Sequence, residues 1–292
     1  MSRRPRRNRP PRLDDPTPVP PPAVSGPQPR RRSARRRLLD AHVTGAHLRL
    51  GREGVGQAVR ALVRGDPHAR LGCDGLDGCT ADEVRAALAK THGWDPAPRR
   101  AAIDPDATLT ALAAAADRLR AAASGGARVA VATSRPASLL GLAQWVAGEV
   151  AGLGATVLAS TTAPVEGLGR RSLWWVGDVA VVTDGRSLLA HDGVPGGDDW
   201  LFAVGRPDLV AADRCFAGAA LRAGVETIAW ADLDAPALAL AAARGRPVLV
   251  VPVDEQRPAP AYDAVIAVLE GPPGPPGPPD PPDPLSQAGS GA

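Results

Sequence analysis

The chemistry available to this 292-residue chain concentrates at three places: Thr133-Ser134-Arg135-Pro136, Asp213-Arg214 and Asp232. The first follows the apolar run RVAVA and precedes a helical pattern. Backbone N–H groups at a helix N-terminus, together with the helix dipole, favour an anion. Thr133 and Ser134 add hydroxyl donors, and the guanidinium of Arg135 has the shape for bidentate contact with phosphate. The competing reading is that Thr133 or Ser134 simply caps the helix.

Asp213 and Asp232 follow the short apolar runs Leu209–Ala212 and Thr227–Ala231. Carboxylates converging there could hold Mg²⁺ or Mn²⁺, which prefer oxygen ligands, or orient a water. Asp254 and Asp184 are candidates to join them. Against this, Asp213 and Asp234 directly precede helical patterns, and Asp184 lies in an Asp-Gly turn, so capping and turn formation compete with function. Asp198 and Asp199 sit in a Gly-rich loop that either covers a site or caps a short helix over Trp200–Val204. Arg49, Arg52 and Glu53 share one candidate helix and either face the site or form a solvated surface.

Other chemistries find little support. Cys73 and Cys79, with His68 and His92 nearby, lack the spacing of a tetrahedral zinc site. His42, His47 and His191 have no recognisable nucleophile–base arrangement. The chain holds neither a P-loop nor a G-x-G-x-x-G.

The elements that must position these residues are legible as periodicity. From Arg206 to Asp254 two strand–turn–helix units are followed by a third strand, the pattern of parallel βαβ units. In such sheets ligands bind at the carboxyl ends of strands, where both aspartates fall. The α/β part starts near residue 126 with RVAVATS, a helix opened by Pro136 and closed at Gly154, and the strand ATVLAS. SLWWVG, DVAVVTDG and RSLLAHDG then read as an inserted antiparallel meander. The fold expected is a Rossmann-like, mostly parallel sheet flanked by helices. Residues 38–125 read as a helical lead-in or cap, with helices over Leu38–Leu50, Gly54–Val63, Ala81–Thr91 and from Asp106 or Thr108 to about Ala123.

Composition divides the chain. Residues 1–37 carry twelve arginines against Asp14 and Asp15, so the tail accounts for the overall net charge of +3 and the remainder is acidic. This Arg/Pro-rich segment is expected to be disordered, as is the Pro/Gly-rich tail 271–292. A nucleic-acid partner is therefore expected only through the basic tail. No stretch approaches about 18 apolar residues, so no membrane partner is expected. Three cysteines without framework spacing fit a reducing cytoplasm.

From Leu38 to Leu269 the chain resembles an actinobacterial family known as phosphatases. The likeness is carried by RVAVATSRPASLLG (128–141), VAVVTDGRSLL (179–189), RPDLVAADRCFAGAALRAGVETIAWADLDAPALALA (206–241) and VVPVDE (250–255). The resemblance implies a bacterial hydrolase of phosphate esters, possible metal assistance by Mg²⁺ or Mn²⁺, and a small phosphorylated substrate. Many members have Gly-His-Pro where this chain has Ser134-Arg135-Pro136, and Asp-His-Gly where it has Asp213-Arg214-Cys215. Histidine exchanges protons near neutral pH, whereas arginine only binds charge. Two readings follow. In the first, Asp213 and Asp232 are catalytic and hold a metal, while Thr133, Ser134, Arg135 and Arg214 bind phosphate. In the second, the chain is a catalytically silent relative that binds a phosphorylated ligand.

Overall fold

The computed structural model describes residues 29–98, 100–160, 163–164, 171–191 and 195–271. Residues 1–28 and 272–292, most of the two expected tails, lie outside the described residues. In chain order the first elements are α1 (Pro29–Asp40), β1 (Gly45–Gly51), α2 (Arg52–Val63), α3 (Pro67–Arg70), α4 (Ala81–His92), β2 (Arg100–Ile103) and α5 (Pro105–Ser124). Next come β3 (Arg128–Ala132), α6 (Pro136–Gly152), β4 (Thr156–Leu158), β5 (Ala163–Pro164), β6 (Ser172–Val176), β7 (Val179–Thr183) and β8 (Leu188–Leu189). The last third holds α7 (Pro195–Val204), β9 (Leu209–Asp213), α8 (Arg214–Arg222), β10 (Glu226–Ala231), α9 (Pro236–Ala243), β11 (Val248–Pro252) and α10 (Asp263–Leu269).

One expectation is corrected at the start of the chain. Helix α1 spans Pro29–Asp40. The helix expected over Leu38–Leu50 ends at Asp40, because His42 (φ 56°) and Gly45 (φ 84°) turn the backbone left-handed. The residues beyond form β1, which pairs antiparallel with β2.

The main sheet runs β11-β10-β9-β3-β7-β6-β5, with β4 beside β3 and β8 beside β7. Strands β3, β4, β7, β9, β10 and β11 pair in parallel. Strand β3 is shared along one edge: its first half pairs with β4 and its second half with β7. The antiparallel meander is present as β6-β7-β8, and its middle strand, β7, continues the parallel sheet.

Alternation along the strands assigns the two faces. Val129, Val131, Leu209, Ala211, Ile228, Trp230 and Val251 point into one apolar cluster with α1, α5, α6 and α10. Ala130, Ala132, Val210, Ala212, Ala229, Ala231 and Val250 point into the other with α2, α4, α8 and α9. A sheet covered on both faces is what near-continuous apolar strands require. The Ala-rich helices α8 and α9 are buried over most of their length, since α7 and α4 cover them from outside. Helices apolar all round belong in such an interior layer.

One contact in this layer admits no side chain. A Cβ on Gly218 in α8 would lie 1.8 Å from the Leu71 carbonyl oxygen. Replacing Gly218 by Ala forces α8 and the α3–α4 connection apart, and a loss of about 3 kcal/mol or more is expected. Chemical denaturation of the variant measures it. A variant as stable as the parent would show that this approach is not tight in solution.

Candidate functional site

The sheet changes its direction of growth between β3 and β9. From β3 the chain moves outward to β4, while β9 is followed on its other side by β10 and β11. Open α/β sheets bind ligands in the crevice at this switch point. The two strand ends are tied together there. Thr133 donates its hydroxyl to Asp213 Oδ2 at 2.6 Å, and the Ser134 N–H donates to Asp213 Oδ1 at 2.7 Å. Thr133 Oγ1 in turn accepts from the Arg135 N–H at 3.0 Å. Asp213 thus spends both oxygens across the crevice and does not cap α8, for which its side chain makes no bond. Nor does any side chain cap α6. Burial holds the Asp213 carboxyl above the usual aspartate range, opposed by the bonds from Thr133 and Ser134.

The next strand ends build a second cluster. Asp232, just past β10, accepts from the Leu233 N–H through Oδ1 at 2.6 Å and faces His47 Nε2 through Oδ2 at 2.9 Å. Asp254, just past β11, lies 3.5 Å from the same nitrogen. His47 comes from β1, within the segment read as helix. The clue to it was the alternation of GAHLRLG, in which His47 is the one buried position.

Among the described residues, His47, Asp232 and Asp254 are the group whose ligand atoms lie within 4.8 Å of one another, a spacing that could hold a metal ion. Asp213 is not part of it. The histidine, however, is wired for another task. Its Nδ1 accepts the N–H groups of Arg49 and Leu50, at 3.2 and 2.8 Å, so the proton sits on Nε2 and is donated to Asp232. A metal-ligating histidine normally donates from its second nitrogen. As built, this trio is a hydrogen-bonded network and His47 does not fit a metal. Burial lowers the His47 pKa, but the bond and charge of Asp232 outweigh it and the net direction is upward. Asp232 is itself raised, with burial first among the causes.

Arg214 occupies the space between the two clusters. Its backbone is left-handed (φ 40°), an uncommon conformation for a residue with a Cβ. Its guanidinium, buried with the rest of the side chain, donates from Nε to Glu255 Oε2 and from Nη2 to Asp234 Oδ1. Burial raises Glu255 well above the usual carboxyl range; Arg214 opposes this, while Asp213, Asp234 and Asp232 add to it.

Asp184 remains a turn residue, accepting the N–H groups of Arg186 and Ser187. Asp198, in the first turn of α7, pairs with Arg222. The three cysteines are buried and form no disulfide, and burial pushes the Cys73 thiol up to about 12, which removes thiolate chemistry there.

A cleft of about 320 Å³ opens at the N-terminus of α6. Arg49, Arg135, Ser138 and Gln256 supply its polar lining, and Pro136, Ala137, Leu188 and Ala190 its apolar wall. Arg49 stands two residues after His47, Arg135 adjoins Ser134, and Gln256 follows Glu255, so the cleft is bordered by neighbours of each cluster. Two cations at a helix N-terminus form a site for a dianion attached to a partly apolar group.

By fold and site the chain belongs to the open, mostly parallel α/β proteins, whose ligands bind at the carboxyl ends of the strands. The chain is a member of the family described as Phosphatase, which matches residues 29–269. It is 35% identical over 215 residues to Phosphatase SCO2771 of Streptomyces coelicolor, an alignment covering 70% of this chain and 80% of that protein.

The acid cluster sets a pH dependence of stability. The folded chain keeps the Glu255 proton above pH 4.5, where the unfolded chain releases it, so this contribution is complete below that pH and is lost as pH rises. Between about pH 5 and about pH 8 the parent is expected to lose more stability than Glu255→Gln, which cannot ionise yet keeps an oxygen for Arg214. Thermal melts across that range test this, and parallel curves for the two proteins would refute it.

Proposed function

We propose that this chain hydrolyses phosphate esters of small molecules in the cleft at the N-terminus of α6. The observation that carries the reading is the pairing of Arg49 and Arg135 in one cleft at that helix end. In this proposal the two guanidinium groups and the α6 dipole hold the phosphoryl group and stabilise the charge that grows as it transfers. The apolar wall of Leu188, Ala190 and Pro136 takes the organic part of the ester. Thr133 and Ser134 hold the loop that carries Arg135 against Asp213, which supports a positioning role for both.

Asp213 and Asp232 are the proposed proton-handling groups. Both carboxyls are held above their usual range by burial, the direction that lets a carboxyl donate a proton to a leaving oxygen nearer neutral pH. Arg214 is given a different role from phosphate binding. Its bonds to Glu255 and Asp234 make it the internal counter-charge of the acids. No metal step is included, because His47 as bonded donates to Asp232. Three buried cysteines outside any disulfide support work in a reducing cytoplasm.

The test is phosphate release from a panel of monoesters, with and without Mg²⁺, Mn²⁺ and a chelator. Asp213→Asn and Asp232→Asn are each expected to lower kcat by about 100-fold or more. Arg135→Ala should raise KM and lower kcat, since it removes charge that holds the phosphoryl group and stabilises the charge growing in the transition state. Turnover is expected to survive the chelator. Asparagine variants as active as the parent would end the assignment of Asp213 and Asp232.

A second reading has its own support: every oxygen of Asp213 and Asp232 already has a protein partner. Such a site binds a phosphorylated ligand without turning it over. Ligand-induced thermal stabilisation with no phosphate release across the panel would select it.

A further inference from the structure

Strands β1 and β2 pair out of step. Ala46 stands opposite Ala102 and Gly51 opposite Arg100, so residues 47–50 face only Ala101 across the ribbon. A bulge of this kind takes backbone N–H groups off the ladder and re-aims the side chains it carries. Here a side chain supplies the acceptor. Nδ1 of His47 accepts the Arg49 N–H at 3.2 Å and the Leu50 N–H at 2.8 Å. One ring nitrogen thus gathers two successive N–H groups of its own bulge into a tight bend.

The bend sends its residues to different places. Leu50 is partly buried against the apolar cluster that includes α2, and a Cβ on Gly54 would stand 2.6 Å from its Cδ1. Arg49, one residue earlier, is exposed and lines the α6 cleft with Arg135. The ring that shapes the bend is fixed at both nitrogens. It is buried, and Nε2 donates to Asp232 Oδ2 at 2.9 Å. Two donors on Nδ1 leave the proton on Nε2, so each bond supports the tautomer that the other needs.

We propose that His47 is a positioning residue of the phosphate cleft: anchored on Asp232 through Nε2, it shapes through Nδ1 the bend that carries Arg49 to the cleft. The inference rests on the reading of that cleft as the phosphoryl site, and adds to it a residue that touches no substrate. One imidazole then sets the separation between a proton-handling carboxyl and a phosphate-holding guanidinium, the kind of placement on which orientation in a site depends.

Two substitutions separate the two bonds of the ring. His47→Asn sets an amide oxygen near the place of Nδ1, where it can accept the N–H groups two and three residues on, but it falls short of Asp232. His47→Gln reaches toward Asp232 with its longer amide and leaves the Arg49 and Leu50 N–H groups unmet. The readouts are amide hydrogen exchange of the full chain and calorimetric binding of inorganic phosphate, on variants shown to be folded by circular dichroism. His47→Gln should speed exchange at Arg49 and Leu50 by about tenfold. It should also weaken phosphate binding by about tenfold, as Arg49→Ala does. His47→Asn should keep the protection and hold phosphate affinity within about threefold of wild type. Adding His47→Gln to Arg49→Ala should cost no further affinity, because one acts through the other. In the wild type itself, nitrogen NMR of the imidazole should find Nδ1 without a proton and Nε2 with one. The proposal fails if the opposite tautomer is found, if Arg49 and Leu50 exchange alike in wild type and His47→Gln, or if His47→Asn exchanges as fast as His47→Gln. Unchanged phosphate affinity in Arg49→Ala would count against the cleft reading instead, and the exchange rates would still decide what holds Arg49.

Discussion

The bond pair from Asp213 to Thr133 and Ser134 is the constraint on which the site depends. It joins the ends of β3 and β9 at the one place where a doubly wound sheet leaves a crevice. With both carboxylate oxygens engaged, the loop from Thr133 to Pro136 has one position, and Arg135 and the start of α6 are placed with it. A shorter or uncharged side chain at 213 would still allow the strands to pair, since the sheet bonds involve backbone alone. The position of the arginine beside the cleft would be lost.

That arrangement gathers acids in the interior at an energetic cost. Asp213, Asp232, Asp254 and Glu255 are all buried, with Asp234 nearby. Isolated buried carboxylates are strongly disfavoured unless paired or protonated. Arg214 offsets part of this by bridging Glu255 and Asp234, and accepts a left-handed backbone to reach them. At Asp213, Asp232 and Glu255 burial also moves the pKa upward, which favours the neutral carboxyl. A chain selected only for stability would replace such a cluster with apolar residues. Its presence at the carboxyl edge of the sheet fits the site proposed above.

Much of this was legible in the sequence. The βαβ units, the meander and the acidic strand ends follow from periodicity and turn residues, because both faces of the sheet are buried and the apolar runs are therefore unmixed. The linkage of Asp213 to Thr133 was not legible, since capping and cross-strand bonding use the same residue types at the same positions. The bonds of Arg214 to two acids, 20 and 41 residues away, were not legible either, because charge alone does not reveal which partners an arginine meets. His47 was missed for a different reason. Leucine and valine spacing around 38–50 is compatible with a helix, and only the left-handed turns at His42 and Gly45 convert it to a strand.

The placement of His47 changes what the N-terminal segment is for. The Val43 carbonyl accepts the Asp254 N–H at 2.9 Å, and His47 closes on Asp232, so the residues around β1 are bolted to the ends of β10 and β11. The same few residues then carry Arg49 into the α6 cleft and lead directly into α2 with Arg52. The helices that follow divide between the two faces of the sheet, α2 and α4 on one and α5 on the other. A segment held at the sheet edge by a histidine–aspartate bond and on both faces by apolar burial cannot leave without opening the core. The cleft therefore takes its cations from two separate segments, Arg49 before the main sheet and Arg135 within it, and forms only when the β1 segment is docked on that sheet.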